Sequence, residues 1–391
     1  MSEHRTAQPS QGSQPMSRSD AGQATDEIAR RSSWVLMWRR FRRHKLAVIS
    51  LIIIVFMYVV AIFADSLAPR PPGDYAVDYP YAPPQGIHLT DIGEGDGLGL
   101  YVYGMDQEVD DVTWERSYTE DREDPHRLGL FVSAGEEYRF LGMFETDVRL
   151  FGPEDPEAPF FLLGADSAGR DILSRVIFGT RVSLSIGLIG VVLSTVIGIV
   201  LGAAAGFLRG PVDAVIQRIT EVFMSIPTLP LWMALAASLP QSWTPLQVYF
   251  GITVLLSLIG WTSLSREVRG RVLTLRSEDY VAAARLDGAS RMRVVRRHIL
   301  PALTSHIIAT VTLAVPAMIL AETSLSFLGL GLQPPVVSWG VLLQEAQNVR
   351  TVMTAPWLLI VPSAAVVLAT LSLNFLGDGL RDAADPYGGG Q

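Results

Sequence analysis

The chain has 391 residues, 49% of them hydrophobic, a formal net charge of −8 and no cysteine. Disulfides and thiolate metal sites are excluded, and the clustering of apolar residues into long runs favours a membrane protein. Lys45, between His44 and Leu46, is the only lysine, which excludes a Walker A loop with its phosphate-cradling Gly-Lys-Ser/Thr.

Residues 1–30 are polar and are expected to form a disordered tail. In RSSWVLMWRRFRRHK (31–45), Trp34, Trp38 and Phe41 alternate with Arg39, Arg40, Arg42 and Arg43. An interfacial amphipathic helix and a basic stop before a membrane span both account for this pattern. LAVISLIIIVFMYVVAIFA (46–64) is long enough to cross roughly 30 Å of hydrocarbon and reads as a signal anchor. Residues 31–66 thus form a basic helix and the first span.

Residues 67–162 form an insert. Within it, positions 71–160 hold about 21 acidic and about 5 basic side chains, whereas the flanks are basic. Such an imbalance places the insert and the flanks on opposite sides of a membrane. Turn clusters separate short aromatic or branched segments, so a small β-rich external domain is expected, with a hairpin around Ser133–Glu136. DIGEGDGLG (91–99) lacks the context of a phosphate or calcium loop and reads as a solvated turn.

Five further spans follow, at 183–207, about 219–239, 246–264, 302–321 and about 357–376. The second of these carries Pro227 and Pro230 and should be kinked. Six spans in all, with the arginine-rich 30–45, 208–218 and 265–300 segments on one side, make that side cytoplasmic and put both termini there. Arg170, Arg175 and Arg181 fall on the other side and run against this signal.

The segment YVAAARLDGASRMRVVRRHILP (280–301) reads as a helical hairpin. Glu278 and Asp279 suit a helix start, Gly288 suits its end, and Ser290 can cap a second helix with Met292, Val295 and Ile299 as its apolar stripe. Ala282, Ala283 and Ala284 keep the first helix thin. Arg285, Arg291, Arg293, Arg296 and Arg297 offer charge to an acidic partner or to lipid headgroups. A generic basic loop explains the composition equally well.

The stretch resembles the cytoplasmic "EAA" loop of ABC importer permeases, E-A-A-x3-G-x9-I-x-L-P. Ala283, Ala284, Gly288, Leu300 and Pro301 match at the required spacing; Ala282 stands for the glutamate and His298 for the isoleucine. GADSAGRDILSRVIFGTRVSL (164–184), AETSLSFLGLGLQPPVVSWG (321–340) and LNFLGDGLRDAADP (373–386) resemble segments of dipeptide and oligopeptide permeases, closest to the C-type subunit.

The resemblance implies an all-α polytopic protein with the six-helix type I importer fold, its permease core at 163–386 and its coupling loop at about 265–301, followed by a flexible end at 387–391. It implies a homologous permease partner, two cytoplasmic ATPase subunits that hold the ATP and magnesium, and an external substrate-binding protein. It further implies that Tyr280, Ala282, Ala283, Ala284, Asp287, Gly288, Leu300 and Pro301 form the coupling loop. Glu322, an acid at membrane depth, reads either as a pathway residue or as a structural acid near the membrane surface. No catalytic, metal-binding or substrate-binding residues are assigned, and no nucleic-acid partner is expected. A stand-alone secondary transporter, or a permease for an oligosaccharide or a nickel chelate, is the alternative.

Overall fold

The computed structural model describes residues 35, 37–91, 98–111, 116–140 and 142–384. The expected tails 1–30 and 387–391, Trp34 and most of the 91–99 turn lie outside them. Among the described residues, five helices are long and apolar enough to cross a membrane, or six crossings if one sharply bent pair counts as a span.

Helix α1 (Lys45–Ile62) is capped by His44, whose ring nitrogen accepts the Ala47 N–H at 3.1 Å. The preceding basic segment is helical from residue 37 to residue 43, and Phe41 is buried beside Ala47 and Leu376. A one-turn helix, α2 (Ala64–Leu67), leads into the insert. There β1 (His88–Asp91), β2 (Leu98–Val109), β3 (Arg116–Phe140) and β4 (Phe144–Pro153) form an antiparallel sheet in sequence order. The chain does not reverse at Ser133–Glu136, as the turn-like composition there suggested. That stretch is a register shift between Ser133 and Tyr138, and the reversal follows Phe140, which pairs with Phe144. Extra residues on one strand are absorbed as a bulge and need not end the pairing.

The insert is rooted in the bundle by main-chain and amide bonds. The Ala165 N–H donates to the Ala82 carbonyl at 2.8 Å. The Gln85 amide accepts from the Phe161 N–H at 2.6 Å and donates to the Tyr103 and Pro159 carbonyls.

Helix α3 (Ile172–Leu208) begins well before the expected 183, because Asp171 caps it by accepting the Leu173 and Ser174 N–H groups. Its small residues at four-residue spacing seat it on α6 (Pro245–Leu275). A Cβ at Gly202 would lie 2.5 Å from the Ser265 carbonyl oxygen, and one at Gly206 would lie 2.8 Å from the Val272 Cβ. Only glycine permits this approach, the usual way in which spans associate without a hydrophobic driving force.

Between them, α4 (Gly210–Ser225) and α5 (Thr228–Ala237) meet at 90°. This corrects the expected single kinked span at 219–239. Ile226 is extended at φ −94 and ψ 132, as a residue preceding proline is pushed to be, so Pro227 ends one helix and opens another. The pair still joins opposite ends of the bundle. Arg276, just after α6, donates to the Phe207 carbonyl at 2.9 Å, which puts the C-terminal ends of α3 and α6 together. Trp243, before α6, packs on Gly251 at the other end.

The rest of the bundle comprises α7 (Asp279–Leu286), α8 (Arg291–Val294), a π-helical turn (Val295–Ile299), α9 (Leu300–Phe327), α10 (Trp339–Glu345), α11 (Val349–Thr354) and α12 (Trp357–Ala384). From Arg291 to Phe327 the helix is continuous over 37 residues. It outruns the expected 302–321 because Pro301 does not end it: the proline follows directly on the π-helical turn Val295–Ile299, where the regular hydrogen-bond ladder is already interrupted. Pro316 lies inside without ending it.

Candidate functional site

The hairpin stands where α3 and α6 end. Asp279 occupies the first turn of α7, where a negative charge is favoured. The helix closes with a double hydrogen bond: the Gly288 N–H donates to the Arg285 carbonyl at 3.1 Å, and the Ala289 N–H reaches back to Ala284 at 3.0 Å. Gly288 has φ +80, which an L side chain rarely adopts, and no atom lies within 4 Å of where its Cβ would stand. The glycine is therefore required by the backbone and not by packing. Ser290 then caps α8, its hydroxyl accepting the Arg293 N–H at 3.4 Å.

The inward stripe differs from the expected Met292, Val295 and Ile299. Val294 and Ile299 are buried, Val295 is half-buried and Met292 is exposed. The π-helical turn is the reason, since its wider winding brings residues five apart onto one face. Val281, Val294 and Ile299 pack with Leu264, Val268, Val272 and Phe207. Each contributes about 1.5–3 kcal/mol by burial, so the hairpin is a rigid elbow.

Its outer surface carries Ala282, Ala283, Asp287, Gly288 and Pro301, with Ala284 and Leu300 half-buried. Two apolar side chains that the sequence reading did not single out project there, Leu286 at 89% exposure and Met292 at 66%, together with the part-exposed Tyr280. Arg276 sits at the base of the elbow. Burial, and then the nearby guanidiniums of Arg209, Arg285 and Arg291, push its pKa below the ordinary arginine value. These four residues form a positive collar, suited to an acidic partner.

At the far end of the bundle Glu322 is fully buried. Its carboxylate accepts from the Ser326 and Ser338 hydroxyls, both at 2.8 Å, and from Ser183 at 3.5 Å. Ser183 in turn accepts the Trp339 N–H at 3.1 Å. One acid therefore ties α9 to α3 and to the cap of α10.

Nearby lies a second buried cluster that sequence reasoning missed. Asp166 accepts from the Arg170 guanidinium at 2.7 Å, from Arg175, and from the Ala168 and Arg170 N–H groups. Glu345 also binds both arginines. Arg181 pairs with Asp65 at 2.8 Å. The three arginines that contradicted the orientation signal are thus each neutralised by carboxylates. The spacing of Asp166, Arg170 and Arg175 could have signalled part of this cluster. Glu345, about 170 positions away, could not.

Asp171 adds a titratable element. Burial pushes its carboxyl up to about 6, against the opposing pull of bonds from Ser174 and Leu173 and the charge of Arg70. Between about pH 4 and this value the folded chain holds a proton that the unfolded chain releases. The contribution of this group to stability is therefore complete below about pH 4 and lost as pH rises through about 6. Asp171→Asn retains a capping side chain but cannot titrate. We expect the stability of the wild type relative to that variant to fall by about 2–3 kcal/mol from pH 4 to pH 7, measured by denaturant unfolding in detergent. A pH-independent difference would contradict this.

A cavity of about 850 Å³ opens at the same end of the bundle, between the end of α5, the start of α6 and the 329–336 segment. Gln241, Trp243, Gln333 and Pro334 contribute to its wall, which carries no ionisable side chain. Among the described residues, no group of three or more His, Asp or Glu side chains is placed to hold a metal ion.

These features define a multi-pass helical membrane protein with a rigid basic elbow at one end and an uncharged cavity at the other. Residues 198–387 match the family described as binding-protein-dependent transport system inner membrane component. Residues 32–84 match the N-terminal TM domain of oligopeptide transport permease C. The oligopeptide transport system permease protein OppC of Haemophilus influenzae is 36% identical over 242 residues, covering 62% of this chain and 75% of that protein. The glutathione transport system permease protein GsiD of Pectobacterium atrosepticum is 39% identical over 224 residues, 57% of this chain and 72% of the relative. The dipeptide transport system permease protein DppC of Bacillus subtilis is 38% identical over 225 residues, 57% and 68% respectively. An inward-facing structure of the MetNI methionine ABC transporter aligns at 17% identity and a TM-score of 0.42, covering 55% of this chain and 98% of that one. The chain belongs to the family of inner-membrane permease components of binding-protein-dependent transport systems.

Proposed function

We propose that the chain is the membrane permease subunit of an ATP-driven peptide importer, and that the elbow at Gly288 transmits the work of separate ATPase subunits into the bundle. The observation that carries this reading is the contrast within the elbow. Its inner face is locked by Val281, Val294 and Ile299, while its tip presents Leu286 and Met292 to a partner. Tyr280, Ala282, Ala283, Ala284, Asp287 and Gly288 form the docking surface with them, and Leu300 and Pro301 join it to α9. Two cytoplasmic cassettes bind ATP and magnesium, one beneath this chain and one beneath a homologous permease. The arginine-rich end faces the cytoplasm, as do both termini, and the insert faces outward. Glu322 braces the outer end and takes no part in the path. The names of the relatives, which include oligopeptide, dipeptide and glutathione systems, support a peptide substrate. The uncharged cavity wall suits passage of a peptide backbone.

The test is reconstitution of the permease pair with cassettes and a peptide-loaded binding protein in proteoliposomes. Peptide should accumulate only when ATP is supplied on the cassette side. Uptake driven by a proton or sodium gradient without ATP would establish the secondary-transporter alternative.

The insert is proposed to contact the delivering binding protein. Because residues 76–85 pack on the 164–171 loop, the informative deletion replaces only 88–157 with a short flexible linker. We expect the concentration of loaded binding protein needed for half-maximal uptake to rise severalfold with the maximal rate preserved. Unchanged uptake kinetics would refute the contact.

A further inference from the structure

The outward face of α1 is a continuous apolar stripe through Ile52, Val55, Phe56, Val59 and Ile62, all exposed. In a spanning helix such a stripe is covered by lipid or by another span. It does not stop at the helix end. Phe63, just beyond, is 42% exposed and stacks on Phe140 with ring centroids 5.9 Å apart. Phe140 is the last residue of β3 and pairs with Phe144, so the tip of the β3–β4 hairpin is held against the end of the first span.

Two polar contacts fix this placement. Tyr138, on the same face as Phe140, donates to the Val148 carbonyl at 2.6 Å and pairs with the Ser66 hydroxyl at 3.0 Å. The buried Arg149 donates to the Ala68 carbonyl at 3.0 Å. The hairpin tip therefore has a fixed height relative to α1. At that height Met143 is 71% exposed and Phe144 63%. Two large apolar side chains on a hairpin turn are unfavourable in water. Next to them lies the exposed Arg139–Glu145 pair, 3.1 Å apart, whose long stems allow charged heads to stay in water above an apolar surface.

We propose that the β3–β4 hairpin is a lipid-surface anchor: Met143 and Phe144 extend the lipid-facing stripe of α1 into the bilayer interface and hold the insert at a set angle over the membrane. The occupant is lipid because the patch is continuous with a span surface and begins at the residue where that span ends. An anchor of this kind depends on aromatic and long apolar side chains at headgroup depth.

The chain has no cysteine, so Met143→Cys gives a unique nitroxide-labelling site once any cysteines in the other subunits are replaced. In the assembled transporter in lipid nanodiscs, spin relaxation by oxygen, which concentrates in the bilayer, is compared with relaxation by a water-soluble nickel chelate. Glu123→Cys, on the exposed β2–β3 part of the sheet, is the aqueous control. The expected result is an oxygen-to-nickel ratio at position 143 severalfold above that at position 123. Equal ratios would overturn the anchor in favour of a solvated tip. Exclusion of both reagents would overturn it in favour of a protein partner. Should Met143→Cys assemble poorly, Phe144→Cys carries the same expectations.

Discussion

Replacing Leu286 with aspartate is expected to leave the permease folded and, if the elbow is the proposed docking surface, to deprive it of its cassettes. Leu286 is 89% exposed, so the substitution removes no internal contact of consequence, and its thermal melting curve should match that of the wild type. Burial of this side chain in a partner cleft would contribute about 2 kcal/mol. Since about 1.4 kcal/mol corresponds to tenfold in affinity, capture of the cassettes should weaken by at least about thirtyfold. Pull-down from detergent and transport-coupled ATP hydrolysis should fall together. The neighbouring Gly288 offers an internal comparison. Asparagine tolerates positive φ and should be nearly silent there. Proline fixes φ near −65° and removes the N–H that donates to Arg285, so Gly288→Pro should break both the elbow and the coupling. Cassette capture that survives both Leu286→Asp and Gly288→Pro would remove the elbow from the mechanism.

The second expected result concerns Glu322. Glu322→Ala leaves the hydroxyls of Ser183, Ser326 and Ser338 without their acceptor in a buried site. Each orphaned group costs about 1–3 kcal/mol, and the vacated volume adds to this. A loss of at least about 3 kcal/mol is expected, seen as a lower melting temperature and reduced yield. Glu322→Gln keeps one acceptor oxygen and should cost less, about 1–2 kcal/mol. Uptake per folded molecule distinguishes a brace from a pathway group. Normal specific uptake by the glutamine variant is expected. A variant that folds normally but transports nothing would move Glu322 into the path.

Much of the elbow was legible because local chemistry dictates it. Ser290 and Gly288 act through residues three positions away. The apolar stripe misled because its period changed. A single π-helical turn moves the inward position from Val295 to Val294, and composition does not announce such a turn. Five of the six expected spans were legible as single helices, though not in their extent. Asp171 lengthened α3 by a cap within a polar stretch, and Pro227 turned an expected kink into a right-angled break. The least legible features join distant segments. The acid Glu345 reaches Arg170 and Arg175 only after α10 has folded over α3, and the stack of Phe63 on Phe140 depends on the course of the whole insert.

The helix from Arg291 to Phe327, π-helical turn included, spans 37 residues, or about 55 Å at 1.5 Å per residue. One end belongs to the elbow and the other is clamped through Glu322 to α3 and α10. If the elbow transmits work as proposed, such an element would serve as a connecting rod, carrying a tilt at the lower bearing to the upper one. On the proposed function, the upper rim of the bundle would then shift as one body, on a schedule set by the opposite face of the membrane.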